Sequence, residues 1–350
     1  MMMVFSRLKI LSAISAVLLA VLLVSARPLA AGDISVSPDF GMNFNFESLD
    51  KNKISECSPR NRSAPSRGHG FLRRYDNQKI RSTVLRELAD MRHAGFQEIR
   101  TLVFFGKTIE AGANVFPVET PEIAAHDVST FAKDVRNAGF SRLYLAFGPQ
   151  GIVTPGCRRQ QWGDCFDPLS IDLSTKFIAR VRAALDPASA AILQVDLQNE
   201  GGLTHYHPEQ MRRNMDSYLH KVIGTYLSQF PNDQTTVSIQ QKQPEERLKY
   251  VLAAYENARR SPAFFDFHVY DVQPDLLNMV KIALQSTPER IPVVIGEFPY
   301  GDAEMLRKLQ NALTAGRQSY GIPVYFWPLR NVSGACGVDT PPPYDLKWLH

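Results

Sequence analysis

The chain has 350 residues, 44% hydrophobic and 21% charged, an ordinary globular mix with enough material for a large core. Its 39 basic and 35 acidic residues leave a formal charge of +4, spread along the chain rather than gathered into a run. That balance gives no footing for nucleic-acid binding.

Arg7 and Lys9 precede an apolar run over residues 10–26, and small residues follow at Val24, Ser25 and Ala26 and again at Leu29, Ala30 and Ala31. This is the pattern of a secretory signal peptide. Residues 1–31 are therefore expected to be removed on export, leaving residues 32–350 as one secreted or periplasmic domain. An uncleaved anchor is the alternative, since about 20 apolar residues span a bilayer. No later run is long and apolar enough to do so, and no stable span is expected after cleavage. The cysteines are Cys57, Cys157, Cys165 and Cys336. An even number in an exported chain points to disulfides. Cys157 and Cys165 make the local pair, which leaves Cys57 with Cys336. The spacing lacks the CxxC pairs of a zinc site, so no metal is expected.

After a linker at 32–40, residues 41–46 form the first expected strand, with Phe44 and Phe46 alternating against asparagines. A polar loop follows to residue 78. Residues 79–93 carry Ile80, Val84, Leu85, Leu88 and Met91 at helical spacing, and Gly95 closes the helix. The pattern then repeats: strand 96–105, helix 121–138, strand 142–147, a loop holding Cys157 and Cys165, and helix 171–185. Strand 192–200, helix 208–229, strand 235–240 and helix 245–260 come next. Strand 264–270, helix 274–285, strand 292–297, helix 303–320 and strand 323–329 complete the series. These are eight mostly apolar strands with seven helices between them. Strict alternation predicts a parallel sheet covered on both faces, and eight units predict a single-domain (β/α)8 barrel. No Gly-rich phosphate fingerprint follows the first strand, which argues against a dinucleotide fold. The last helix is expected to be weak or missing, because Pro341, Pro342 and Pro343 interrupt the tail. In a closed barrel the first and last strands are neighbours, so Cys57 and Cys336 share a rim.

Active sites of such barrels lie at the C-terminal rim of the strands. The polar and aromatic residues expected there are Arg100, Asn199, Glu200, His268, Tyr270, Glu297 and Trp327. Two carboxyl groups about 5–5.5 Å apart are what a glycosidase needs to work with retention. Glu200 and Glu297 are remote along the chain, and a barrel brings their strands to a common rim. Singly, each residue also fits a structural role: Glu200 as a helix-dipole partner, Glu297 as an ion-pair partner of Arg100, and His268, Tyr270 and Trp327 as core. Further aromatics near the rim loops, Phe104, Phe105, Phe147, Trp162, Tyr206 and Tyr300, suit sugar stacking or packing. His205 and His207 have no nearby acidic partner to complete a metal ligand set.

Five motifs stand in order at successive strand ends: AGFQEIR at 94–100, LQNE at 197–200, FHVY at 267–270, GEFP at 296–299 and YFW at 325–327. In these the chain resembles the glycoside hydrolases of clan A, nearest to the family 5 type, over the whole mature length. The resemblance implies that Glu200 is the acid/base and Glu297 the nucleophile. It implies that Asn199 binds the sugar 2-hydroxyl, Tyr270 holds the nucleophile, His268 sits beside the acid/base and Arg100 pairs with Glu297. Trp327 would stack under the sugar next to the scissile bond. The expected partner is a β-linked poly- or oligosaccharide, with no cofactor. The chain departs from the family at the end of its third strand, where LAFGPQG replaces the usual histidine. A glycan-binding barrel without turnover and a transglycosylase are the alternative functions.

Overall fold

The structure is a computed structural model and describes residues 40–44, 71–106, 116–149, 166, 168–202, 208–241, 243–270, 291–299, 301–314 and 323–327. The expected signal peptide, all four cysteines, the expected helix at 274–285 and the chain beyond Trp327 lie outside the described residues.

Helices begin where the backbone has a local reason to begin one. In α1 (Gln78–His93), the Asn77 side chain accepts from the N–H groups of Lys79 and Ile80 at 3.0 and 3.3 Å, pairing two donors that the first turn leaves open. Proline opens α2 (Pro121–Asn137), α3 (Pro168–Ala183), the single turn α4 (Pro187–Ala190) and α6 (Pro244–Asn257). Its fixed φ and missing N–H suit that position. The remaining described helices are α5 (Glu209–Gln229) and α7 (Ala303–Thr314). Val84, Leu88 and Met91 of α1 are buried at steps of four and three, the spacing that puts one stripe against a sheet. Among the described residues no helix is long and apolar enough to cross a membrane.

The strands are β1 (Phe40–Asn43), β2 (Glu98–Gly106), β3 (Phe116–Pro117), β4 (Arg142–Pro149), β5 (Leu193–Asp196), β6 (Gln234–Thr236), β7 (Ile239–Gln240), β8 (Phe265–His268), β9 (Val293–Pro299) and β10 (Val324–Trp327). All pair in parallel, in the order β6-β5-β4-β2-β1-β10-β9-β8-β7, with β3 a short addition to β2. β6 and β7 are two pieces of the expected fifth strand, separated only by Val237 and Ser238. The first piece pairs with β5 and the second with β8, so one strand joins the two ends of the sheet. The result is the (β/α)8 barrel that the alternation of elements predicts. β1 pairs with β10, as a closed barrel requires of its first and last strands.

Two boundaries differ from expectation for a visible reason. β5 ends at Asp196, four residues short of Glu200. Asp196 Oδ1 accepts the N–H of Gln198 at 3.1 Å and of Ser238 at 3.0 Å. A side chain thus takes over from the ladder, which breaks β5 and the fifth strand at the same level.

Apolar side chains fill the layer between strands and helices, while the barrel interior is partly polar. Tyr325 Oη and Arg142 both donate to the carboxylate of Glu98. Above them the Tyr144 ring meets Phe264 and Tyr325 edge-on at 5.5 and 5.6 Å, and its hydroxyl donates to Asp266. β4 and β8 are not neighbours in the sheet, so this bond crosses the interior. Gly296 lies against it: a Cβ there would stand 2.2 Å from Asp266 Oδ1, so the close approach of β9 to β8 requires glycine.

Candidate active site

Arg100 is the hub. It sits on β2 with no exposed surface, and its guanidinium centre lies 5.2 Å from the centroid of the Tyr144 ring. A buried guanidinium has only donors, so every neighbour must accept. Nη1 donates to Glu297 Oε1 and Asn43 Oδ1, both at 2.8 Å. Nη2 donates to Asn199 Oδ1 at 2.7 Å and to Asp196 Oδ2 at 3.4 Å. Nε lies 4.0 Å from Asp266 Oδ2. Burial opposes the charge of Arg100, but Glu297, Asp266 and Asp196 outweigh it and hold the guanidinium protonated. Burial pushes Asp196 up to about 6, against the pull of Arg100.

Arg100 also fixes the tautomer of His268. Its Nη2 is 3.2 Å from His268 Nε2, so that nitrogen must accept and the ring proton sits on Nδ1. Nδ1 faces Glu200 Oε1 at 3.2 Å and Glu297 Oε2 at 3.5 Å. Burial disfavours the imidazolium, yet the two carboxylates outweigh it and draw the pKa of the ring upward. A second proton would sit on Nε2 and point at Arg100, so the geometry favours the neutral ring.

Asn199 and Glu200 are consecutive, and in a strand their side chains would point to opposite faces. Glu200 instead adopts φ +54°, in the left-handed region. That turn lets both neighbours serve one constellation, Asn199 on Arg100 and Glu200 on His268. A non-glycine residue there stores strain and has to be held in place. Ser238 does this, with its Oγ accepting the Glu200 N–H at 2.8 Å and its carbonyl accepting the Gly201 N–H at 2.9 Å. Gln240 Nε2 donates to Glu200 Oε2 at 2.5 Å. Burial works against the ionised form of Glu200, but the donors His268 and Gln240 outweigh it and hold the carboxyl below its ordinary range.

The Tyr270 hydroxyl donates to Glu297 Oε2. Burial and the charge of Glu297 push the phenol far above its ordinary range, so it stays a donor. Glu297 is thus held from both oxygens, by Arg100 and by Tyr270. One carboxylate oxygen of Glu200, one of Glu297 and a ring nitrogen of His268 lie within 4.8 Å of one another. Three such atoms have the spacing of a cation site. Here, however, His268 presents an N–H toward the carboxylates, and Arg100 already supplies their positive charge. The donor set therefore fits paired carboxylates better than a metal.

Six of the seven rim residues expected from sequence, Arg100, Asn199, Glu200, His268, Tyr270 and Glu297, meet in one cluster. Trp327 ends β10, but its side chain lies outside the described residues, as do Trp162, His205, Tyr206, His207 and Tyr300. Phe105 and Phe147 are buried core residues rather than rim platforms. Sequence reasoning missed Asn43, Asp196, Ser238, Gln240 and Asp266. The signal for the two aspartates was a lone acid inside an apolar strand, which a buried cation explains.

No family model matches the chain, and no curated protein is similar to it in sequence. Solved structures are similar in fold. An exo-β-1,4-mannosidase from Opitutaceae bacterium strain TAV5 aligns over 85% of this chain at 14% identity and a TM-score of 0.50; the chain spans 54% of that protein. An endo-1,4-β-mannanase from Rhizomucor miehei aligns over 89% of this chain and 97% of its own, at 12% identity and a TM-score of 0.50. A GH53 catalytic domain from Ignisphaera aggregans aligns over 73% and 81%, at 14% identity and a TM-score of 0.51. Together with the ring of parallel strands, these likenesses establish that the chain has the (β/α)8 barrel fold shared by these enzymes.

Proposed function

We propose that the protein is a retaining glycoside hydrolase acting on a β-linked poly- or oligosaccharide. The observation that carries this reading is the approach of Glu200 and Glu297, one carboxylate oxygen of each lying within 4.8 Å of the other. Retaining pairs stand about 5–5.5 Å apart, whereas inverting pairs leave roughly 6.5–9.5 Å for a water.

Glu297, held by Arg100 and Tyr270, attacks the anomeric carbon. The bond from that carbon to the leaving oxygen breaks as Glu200 gives that oxygen a proton. A glycosyl ester on Glu297 results. Glu200, now a carboxylate, takes a proton from water, whose oxygen attacks the same carbon and releases Glu297. The sugar leaves with its original anomeric configuration, and both glutamates return to their starting states. Asn199, oriented by Arg100, is placed to bind the sugar hydroxyl next to the reacting carbon. The first step needs Glu200 protonated, and its carboxyl lies below the ordinary range. The reading therefore includes activity confined to the acid side of neutrality. It also includes export, on the N-terminal pattern, with β-1,4-mannans among the first substrates to try.

One observation favours a second reading. A Glu200 held as an anion by two donors suits a barrel that binds a glycan and rarely cleaves it. The test is a panel of aryl β-glycosides, β-mannans and β-glucans, read by product analysis, with the wild type and Glu297→Gln. The proposal expects cleavage with retention, and a loss of roughly 10⁴-fold or more in the variant at unchanged circular dichroism. Near wild-type turnover in Glu297→Gln removes that residue as nucleophile. Binding without cleavage favours the second reading.

A further inference from the structure

Gln240 was not expected to take part. It ends β7, and its amide lies between Glu200 and Arg247. An amide can be placed either way round, and the network must decide. Arg247, in the first turn of α6, is buried and has only donors. Its Nη2 lies 3.3 Å from Gln240 Oε1, so the amide oxygen must face Arg247 and the NH2 must face Glu200. Nη1 of Arg247 donates to the carbonyl of Gly202, two residues past Glu200. The same short stretch of the fifth strand braces two further points of the site. Ser238 pins the backbone of Glu200, and Gln241 Oε1 accepts the N–H of Tyr270 at 2.7 Å.

We propose that Gln240, oriented by Arg247, is a positioning residue of the acid/base step, holding Oε2 of Glu200 and tilting this carboxyl toward its base form. This rests on the glycosidase reading above. A donor fixed on Oε2 stabilises the carboxylate more than the acid. Gln240 therefore keeps Glu200 in the ionised form that the second step uses as its base, and reduces the share of the protonated form that the first step needs. Among the described residues, the other charged or titratable groups facing Glu200 are His268 from β8, Glu297 from β9, Arg100 from β2, Tyr270 after β8 and Arg247 from α6. Of these, His268 faces the other oxygen, Oε1, while Gln240 donates to Oε2.

The test is Gln240→Met, which keeps the length and removes the donor, with Gln240→Glu as a second variant that pairs with Arg247 and adds a negative charge. Two quantities are followed: the pH profile of kcat/KM, and the titration of Glu200 itself, from infrared difference spectra against Glu200→Gln. The expected result is an upward move of the alkaline limb and of the Glu200 titration in Gln240→Met, and a larger one in Gln240→Glu. An unmoved titration overturns the proposal even if the enzyme is active. A protein without turnover whose Glu200 titration still moves overturns the glycosidase reading and leaves Gln240 as the residue that holds Glu200.

Discussion

Removing the guanidinium at the centre of the barrel is the most informative perturbation of stability. In Arg100→Met the side chain keeps much of its volume but leaves Glu297, Asp196 and Asp266 together without a cation. Arg100 has no exposed surface, and its bonds to Glu297, Asn43 and Asn199 run from 2.7 to 2.8 Å, so the lost contacts are dry and short. Breaking a buried pair from one side costs about 3–5 kcal/mol, because an uncompensated charge stays behind. Three carboxylates share one guanidinium here, which puts the loss toward the upper end of that range. In the variant Asp196, already pushed up by burial, loses the opposing pull of Arg100, so its folded-state pKa rises further. The native state then binds more protons than the unfolded chain as the pH falls, so the deficit is largest at high pH and shrinks toward acid. Urea unfolding at about pH 7.5 and about pH 5, followed by circular dichroism, reads both quantities. A loss under about 1 kcal/mol, or an equal loss at the two pH values, would refute the view that one cation compensates these acids.

Three further outcomes follow from the same geometry. Tyr270→Phe removes the hydroxyl that donates to Glu297, and kcat is expected to fall roughly 10- to 100-fold with the fold intact; a change under twofold would detach Tyr270 from the nucleophile. Gly296→Ala would put a methyl 2.2 Å from Asp266 Oδ1, and a loss of about 3 kcal/mol in urea unfolding is expected, whereas a silent substitution would contradict the packing of β9 on β8. Asp196 is held up to about 6, above the ~3.9 of an unfolded chain, so it costs stability as the pH rises through that window. Asp196→Asn should flatten the fall in the urea midpoint between these values, and an unchanged slope would assign the fall to another group.

The barrel was legible because it rests on repetition. Val84, Leu88 and Met91 mark one helix, Val128, Phe131 and Val135 the next, and each helix is followed by a short apolar strand. Parallel pairing of such strands needs no residue-specific information beyond that rhythm. The break in the fifth strand was not legible, because Asp196 imposes it from another strand through its bond to the Ser238 N–H. The same limit applies to the site. Glu200, Glu297 and Arg100 stand out as polar residues at the ends of apolar runs, and their motifs follow one another in order. Gln240 and Ser238 carry no such mark, since a glutamine or serine at a strand end is ordinary. Their roles come from Arg247 and from the left-handed turn at Glu200, both of which depend on tertiary contacts. Asp266 sits within FFDFHVY and reads as an interruption until Tyr144, Arg100 and Gly296 are seen to surround it.

Whether Glu297 forms a bond to sugar can be read directly. The protein is incubated at acid pH with 2,4-dinitrophenyl 2-deoxy-2-fluoro-β-glycosides of mannose and glucose, whose good leaving group speeds formation of the ester while the fluorine slows its hydrolysis. Digestion and mass spectrometry then locate the label. A fluorosugar on the peptide carrying Glu297, absent in Glu297→Gln, is the predicted result. Steady turnover of a β-glycoside with no label on that peptide, or with inverted product, would contradict it.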